Sequence, residues 1–167
     1  MTVPQPQPPS TPLVDTILIV EDHALVAKFY RMALERAGGF YCLVNENIPE
    51  VLTAVEAGGV DLAILDISLP GSEWEGRPVD GLELARLIRQ RAPRPIPIIL
   101  ATAHPIAGDR ERLLEASGAA AYLEKPVYDA DQLVTLIRRL LAKHRTPASP
   151  ASAPGPPNPP ASPSQKQ

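Results

Sequence analysis

The most constraining feature of this sequence is an alternation of two hydrophobic patterns along its length. Short runs that are almost entirely apolar, at 16–20, 40–44, 61–65, 96–102 and 120–124, alternate with longer stretches in which apolar residues recur every three or four positions. The first pattern is typical of a strand buried on both faces, and the second is typical of an amphipathic helix. The alternation therefore predicts five strand–helix units.

Five such units predict an α/β fold, in which a doubly wound, five-stranded parallel sheet is covered on both faces by five helices. Residues that can cap a helix precede three helical stretches, and glycine pairs at 38–39 and 58–59 end the first two. The capping residues are Asn47, Asp80 and Asp129. Ligands of a doubly wound sheet bind at the carboxyl ends of its strands, so the search for function starts at that edge.

The first helical stretch, 24–37, also predicts which of its faces meets the sheet. Its apolar side chains recur at helical spacing, whereas charged residues take other positions. We therefore expect the following residues to face the core: Leu25, Val26, Phe29, Ala33 and Leu34. We also expect Asp22 or His23 to help to cap this helix.

Proline separates a domain, 15–145, from two tails. Of 21 prolines, five lie in residues 1–12 and eight in 147–167, and neither segment contains an acidic residue. We expect the tails, 1–14 and 146–167, to be disordered with polyproline II character, because they have few large apolar side chains to bury. They are interpreted as solubilising tails or linkers, or alternatively as docking segments for a proline-binding partner.

The composition argues against several classes of protein. A formal net charge of −3 argues weakly against non-specific binding of nucleic acids or membranes. The single cysteine, Cys42, excludes an internal disulfide and a multi-cysteine metal site, and its apolar neighbours predict a buried side chain. No apolar run is long enough to span a membrane, and the first residues lack the pattern of a secretory signal. We therefore expect a cytoplasmic protein.

Polar residues stand at the ends of four of the predicted strands. In chain order they are Glu21, Asp22, Asp66, Thr102 and Lys125. Because the carboxyl ends of parallel strands meet at one edge, we expect these side chains to cluster. Three carboxylates in a small space repel one another unless a cation neutralises them, and Mg²⁺ or Mn²⁺ takes such oxygen ligands. With a threonine and a lysine as donors and no Ser–His or Cys–His pair, the cluster indicates phosphoryl chemistry on a carboxylate.

In these motifs the sequence resembles the receiver domain of bacterial two-component response regulators, over roughly residues 15–144. The resemblance implies a flavodoxin-like fold with the strand order 2-1-3-4-5. Each motif alone is weak evidence, but all five occur in order at the expected strand ends. They are VEDH at 20–23, ILDISLP at 64–70, DGLEL at 80–84, LATA at 100–103 and AAAYLEKPV at 119–127.

The resemblance implies a role for each residue of the cluster. Asp66 would be the phosphoacceptor, which receives a phosphoryl group from a phosphohistidine of a sensor histidine kinase or a histidine phosphotransfer protein. Glu21 and Asp22 would hold Mg²⁺, together with Asp66 and the backbone carbonyl of Ser68. Lys125 would pair with the acceptor carboxylate and then with the phosphoryl oxygens.

The resemblance also implies switching and tuning residues around the phosphoacceptor. Thr102 would move to bind the phosphoryl group and Tyr122 would swing inward behind it, unless Tyr122 only packs within its strand. Ser68 and His104 occupy positions that tune the lifetime of the phosphoryl group, unless they are plain solvent-facing loop residues. The peptide bond before Pro126 is expected to be cis, because proline lowers the cost of that form.

One segment departs from the receiver pattern. Between Pro70 and Asp80 the chain reads GSEWEGRPV, which is about seven residues longer than receivers need at this point. A surface loop tolerates such lengthening at little cost. Alternatively, Trp74 makes this segment a contact element for a partner or a partial lid over Asp66.

The resemblance ends near residue 144 and implies a single-domain response regulator without an output domain. Its output would be binding of an unknown downstream protein, not of DNA or a membrane, through a surface formed by the fourth helix, fifth strand and fifth helix. The chain would act as a monomer or a phosphorylation-dependent homodimer. It would be a signalling phosphoacceptor and no enzyme beyond its own phosphorylation and dephosphorylation.

Two other functions stay open at this point. The first is an interaction module with a receiver fold that works independently of phosphorylation. The second is a small Mg²⁺-dependent phosphohydrolase. The second is disfavoured because Ile67 and Ser68, not a further carboxylate that could serve as acid or base, follow Asp66.

Overall fold

Strands and helices alternate along the described part of the chain. The structure is a computed structural model, and it describes residues 14–103 and 110–145. A π-helical turn, Leu34–Gly38, continues the first helix. The elements in chain order are β1 Thr16–Val20, α1 Ala24–Ala33, β2 Tyr41–Val44, α2 Ile48–Glu56, β3 Leu62–Asp66, β4 Glu73–Trp74, β5 Arg77–Pro78, α3 Gly81–Arg91, β6 Ile98–Thr102, α4 Arg110–Ser117, β7 Ala121–Glu124 and α5 Ala130–Arg145.

Five of the strands form one parallel sheet in the order β2-β1-β3-β6-β7. Since β4 and β5 form a separate small sheet, β6 and β7 are the fourth and fifth strands of the main sheet. The predicted order 2-1-3-4-5 is therefore confirmed, as is the doubly wound α/β class. The strand order reverses at β1, so the carboxyl ends of β1 and β3 lie side by side at the switch point where such folds bind ligands.

Apolar side chains fill the space on both faces of the sheet. Every residue of β3 and of β6 is buried, which explains why these strands are apolar up to their last residue and do not alternate. One layer of the core is formed with α2 and α3, through residues such as Leu52, Leu84 and Ile88. The other is formed with α1 and α5, through residues such as Leu34 and Ile137. Each fully buried side chain of this kind stabilises the fold by roughly 1.5–3 kcal/mol.

The helix boundaries follow the predicted caps and glycines. A side-chain oxygen of Asn47, Asp80 or Asp129 accepts a hydrogen bond, 2.8–3.1 Å long, from the amide three residues further along the chain. Such caps contribute about 1 kcal/mol each. Gly39 and Gly58 have φ angles of 68° and 75°, a left-handed conformation that suits glycine and ends a helix.

The predicted inner face of α1 is partly wrong. Leu25 and Phe29 are 72% and 37% exposed, whereas Tyr30 is 1% exposed and lies in the core beside Leu34. The predicted face and the face that contains Tyr30 both show helical spacing. Because the large ring of Tyr30 is buried, Leu25 points away from the sheet. His23 stands at the N-cap of α1, but its side chain makes no capping hydrogen bond.

The long segment after Pro70 contains a β-hairpin that the sequence did not predict. Two-residue strands β4 and β5 pair antiparallel, and the turn residues Glu75 and Gly76 have φ angles of 51° and 72°. Positive φ at both central residues is the geometry of the tight turns that suit hairpins. Trp74, in β4, is half-buried, and the guanidinium of Arg91 in α3 lies 5.1 Å from the centroid of its ring.

Several predictions fall outside the described residues. They concern His104 and the proline-rich tails, of which only Val14 is described. Among the helices that are described, none combines the length and the apolar character needed to cross a bilayer.

Burial of Cys42 predicts a pH dependence of stability. The side chain is 6% exposed, and burial raises the pKa of its thiol from 9.0 to about 11. Above pH 9 the unfolded chain loses this proton while the folded chain keeps it, so the free energy of unfolding falls as pH rises, by at most about 1.4 kcal/mol per unit. Urea unfolding of the wild type and of Cys42→Ala, from about pH 8 to about pH 10.5, isolates this contribution. We expect the stability difference between the two chains to shrink with pH, and a constant difference would contradict the assignment.

Candidate functional site at the carboxyl edge of the sheet

Three carboxylates meet where β1 and β3 end. Asp66 is the last residue of β3, and Glu21 directly follows β1, the neighbouring strand. Both residues are only 5% exposed, whereas Asp22 is exposed. One oxygen from each of the three carboxylates lies within 4.8 Å of the others. The predicted clustering of these three side chains is therefore confirmed.

Lys125 reaches across this edge and binds two of the carboxylates. Its Nζ donates to Asp66 Oδ2 at 2.7 Å and to Glu21 Oε2 at 2.8 Å. Its backbone N–H donates to the carbonyl of Thr102 at 2.8 Å, and the peptide bond to Pro126 is cis, as predicted. The ammonium thus connects the ends of three strands, β1, β3 and β7.

Burial and charge shift the pKa values of the paired groups. Burial raises the pKa of Glu21, and the charge of Asp66 adds to this, while the hydrogen bond from Lys125 opposes it. Burial alone would lower the pKa of Lys125, but its hydrogen bonds and charge interactions with Asp66 and Glu21 outweigh that effect and raise it. The lysine therefore stays protonated, and one ammonium faces three carboxyl groups.

The donor set fits a hard divalent cation. It consists of carboxylate oxygens, the ligands that Mg²⁺ prefers, and the exposed Asp22 leaves room for the water that Mg²⁺ retains. A single ammonium does not balance three carboxylates, so a cation would relieve the remaining repulsion. Ser68 lies at the same edge, where its N–H donates to Asp66 Oδ1 at 3.1 Å and fixes the carboxylate orientation.

The predicted switch residues are both buried. Thr102, at the end of β6, is 6% exposed, and Tyr122, in β7, is 7% exposed. The Tyr122 ring packs into the core, and the guanidinium of Arg110 lies 5.4 Å from its centroid. The ring thus already occupies an interior position in this structure.

Two residues near the site were missed as functional candidates. The N–H of Gly81 donates to the Ile67 carbonyl at 2.9 Å, and a Cβ at Gly81 would lie 2.1 Å from the carbonyl oxygen of Asp66. Only glycine lets α3 begin this close to Asp66, and the DG motif carried the signal. The buried hydroxyl of Tyr30 has no hydrogen-bond partner among the described residues, and nothing in the sequence pointed to it.

The hairpin does not place its tryptophan over Asp66. The ring of Trp74 lies against Arg91, the last residue of α3, whereas the first residue of α3, Gly81, touches the backbone of Asp66. The two ends of this helix are about 15 Å apart. The geometry therefore does not support a lid formed by Trp74.

Comparisons with known proteins show the family to which the chain is similar. The family model of the response regulator receiver domain matches residues 17–138. The DNA-binding transcriptional regulator NtrC of Escherichia coli is 34% identical over 134 residues, which cover 77% of this chain and 25% of NtrC. The polar-differentiation response regulator DivK of Brucella anthropi is 34% identical over 113 residues, which cover 67% of this chain and 85% of DivK. The chain thus spans about a quarter of NtrC but most of DivK.

A solved structure adds information on the metal. The receiver domain of the sensor histidine kinase PA1611 from Pseudomonas aeruginosa PAO1 carries a magnesium ion coordinated in its active site cleft. It superposes with a TM-score of 0.62 at 28% identity, over 77% of this chain and 98% of that domain. The cleft of a related fold therefore accommodates Mg²⁺.

Removal of the ammonium should expose the repulsion in the cluster. Lys125→Met leaves the buried carboxylates of Glu21 and Asp66 without a counter-charge, so we expect the free energy of unfolding near pH 7 to fall by about 3 kcal/mol. Urea unfolding measures the change. We expect Mg²⁺ to restore part of the loss, because it would bind the folded state only.

Two further variants serve as controls. Lys143→Met removes an exposed lysine of α5 and should change stability by less than about 0.5 kcal/mol. Adding Asp66→Asn to Lys125→Met should recover stability, because it removes one of the repelling charges. Equal losses for the two lysine variants would show that Lys125 does not balance the cluster.

Proposed function

The chain belongs to the response regulator receiver domain family, and from that membership we propose that it is a phosphoacceptor signalling protein. Asp66 accepts a phosphoryl group from a phosphohistidine of a sensor histidine kinase or a histidine phosphotransfer protein. The observation that carries this proposal is the placement of Asp66, which ends β3 at the switch point and is bound at 2.7 Å by Lys125. A structural ion pair alone would not require two further carboxylates within 4.8 Å.

The transfer is a displacement at phosphorus. An oxygen of the Asp66 carboxylate forms a bond to the phosphorus atom while the phosphorus–nitrogen bond to the donor imidazole breaks, and the electron pair stays on that nitrogen. The protonated Lys125 and the hydroxyl of Thr102 donate hydrogen bonds to the phosphoryl oxygens. Attack of water on phosphorus later releases phosphate and restores the carboxylate.

Glu21, Asp22 and Asp66, with the backbone carbonyl of Ser68, would hold Mg²⁺. Bound there, the ion would neutralise charge on the phosphoryl oxygens. Mn²⁺ takes similar oxygen ligands and is a substitute in this proposal.

We assign the readout to the surface formed by α4, β7 and α5. Thr102 and Tyr122 couple this surface to the phosphoryl group, while Ser68 and His104 tune the lifetime of the acyl phosphate. The phosphorylated state then binds a downstream protein or a second copy of the chain, so the protein is a monomer or a phosphorylation-dependent homodimer in the cytoplasm. Neither DNA nor a membrane is part of this readout.

An exposed apolar groove beside the site supports contact with a protein donor. Leu25, Phe29 and Val127 line a groove of about 460 Å³ that also contains Lys125. Exposed large apolar side chains next to a reacting group are typical of a docking surface. A phosphohistidine protein that covers this groove can bring its phosphoryl group to Asp66.

Substitution of a residue in the groove should slow phosphoryl transfer from a protein donor but not from a small-molecule donor. We expect Leu25→Ser to slow transfer from a phosphorylated histidine phosphotransfer protein at least about tenfold, because an anchor at the centre of an interface is lost. The rate with a small phosphodonor such as acetyl phosphate should not change. Met32→Ser, an exposed apolar residue of α1 outside the groove, is the control, and an equal effect of both substitutions on transfer would contradict docking in the groove.

Phosphorylation itself is tested by intact mass. The chain is incubated with acetyl phosphate and Mg²⁺, and we expect an adduct of about 80 Da, one phosphoryl group. Asp66→Asn should remove the adduct. Absence of the adduct in the wild type would favour the alternative, a phosphorylation-independent interaction module, and continuous turnover of phosphoesters would favour a phosphohydrolase.

A further inference from the structure

The hairpin β4–β5 and helix α3 enclose a second groove, of about 570 Å³, that phosphoryl transfer does not use. Neither Asp66 nor Lys125 lines it. Its apolar surface comes from the hairpin and from α3, through Trp74, Pro78, Leu82 and Leu87. Arg77 and Gln90 add hydrogen-bond donors to the groove.

Trp74 gives the groove a fixed aromatic face. One side of the indole is covered by the guanidinium of Arg91, which forms an ion pair with Glu56 of α2. The indole also packs against the apolar core, so its orientation is held from two sides. Because Trp74 is only half-buried, the rest of the ring stays open to a ligand.

This surface fits an uncharged, extended, proline-rich segment. Proline rings pack on aromatic faces, and a polyproline II chain presents free carbonyl groups that accept hydrogen bonds. Here the exposed part of the indole offers apolar contact, while Arg77 and Gln90 offer the donors. Acidic and basic residues are both present in the groove, through Glu75, Glu83 and Arg86 among others, so no net charge selects an ionic ligand.

Strand β1, which follows the first segment of the chain, begins close to the end of α3 that borders this groove. The N–H of Thr16 donates to Asp61 at 2.8 Å, and Arg94 donates to the same carboxylate at 2.6 Å. Arg94 lies only three residues beyond Arg91, which packs on Trp74. The start of β1 is thus joined by direct contacts to the loop that follows α3.

We propose that residues 1–12 dock in the Trp74 groove. They contain five prolines and no charged side chain. In the polyproline II conformation twelve residues span about 37 Å, which exceeds the roughly 14 Å of α3 between Arg91 and Leu82. The other proline-rich segment follows α5, which packs on the opposite face of the sheet from α3. Because residues 1–12 are covalently connected to β1, their local concentration near the groove is high.

Trp74 reports directly on this docking, because it is the only tryptophan of the chain. Acrylamide quenching of its fluorescence is compared between the full-length wild type and a full-length variant with alanine at five prolines. Those substitutions are Pro4→Ala, Pro6→Ala, Pro8→Ala, Pro9→Ala and Pro12→Ala. We expect the quenching constant to rise on the order of twofold, together with a red shift of the emission, because the half-exposed indole loses its cover.

A matched variant removes five prolines from the other end of the chain: Pro154→Ala, Pro156→Ala, Pro157→Ala, Pro159→Ala and Pro160→Ala. We expect wild-type quenching in this control, and the same values at every protein concentration. An unchanged quenching constant in the first variant, or an equal rise in both variants, would overturn the proposal. A rise that depends on protein concentration would also overturn it, since the segment would then come from a second copy. None of these readings depends on phosphorylation of Asp66.

Discussion

The ion pair between Lys125 and two buried carboxylates is the interaction on which the rest of the site depends. Glu21, Asp66 and Lys125 come from the ends of three different strands, and their side chains are 1%, 6% and 11% exposed. In such surroundings an unpaired charge is very costly, so each group requires the others. The parallel sheet supplies this arrangement without further help, because all its strands end at one edge. The proposed phosphoacceptor chemistry would add a cation and a phosphoryl group to a cluster that the fold already holds together.

The tryptophan of the hairpin lies away from this ion pair. It packs on α3 through Arg91, whereas α3 approaches Asp66 at its first residue, Gly81. The segment therefore leaves the ion pairs of Lys125 with Asp66 and Glu21 in place while it adds a groove on α3. Changing one surface loop is a physically simple way to add a specific contact to a common fold.

The features that could be predicted from the sequence are those marked by strong local signals. Apolar runs identified the five strands, capping residues marked helix starts, and strand-end carboxylates identified the cluster. The inner face of α1 could not be predicted, because two stripes with the same spacing compete and only packing shows that Tyr30 is buried and Leu25 exposed. The hairpin was missed because strands of two residues leave no periodic pattern, although Glu75–Gly76 is a turn signal. The buried hydroxyl of Tyr30 could not be predicted either, because its surroundings are set by residues that are distant in the sequence.

The central claim is that the Asp66 carboxylate itself carries the phosphoryl group. Borohydride reduces an acyl phosphate of aspartate to homoserine, which marks the phosphorylated carboxylate permanently. The chain is phosphorylated by acetyl phosphate with Mg²⁺, reduced, digested and sequenced by mass spectrometry. The account predicts homoserine at position 66 and at no other aspartate, and no conversion when Mg²⁺ is chelated. Conversion at another aspartate, or a phosphoryl group on a histidine or serine in place of Asp66, would contradict it.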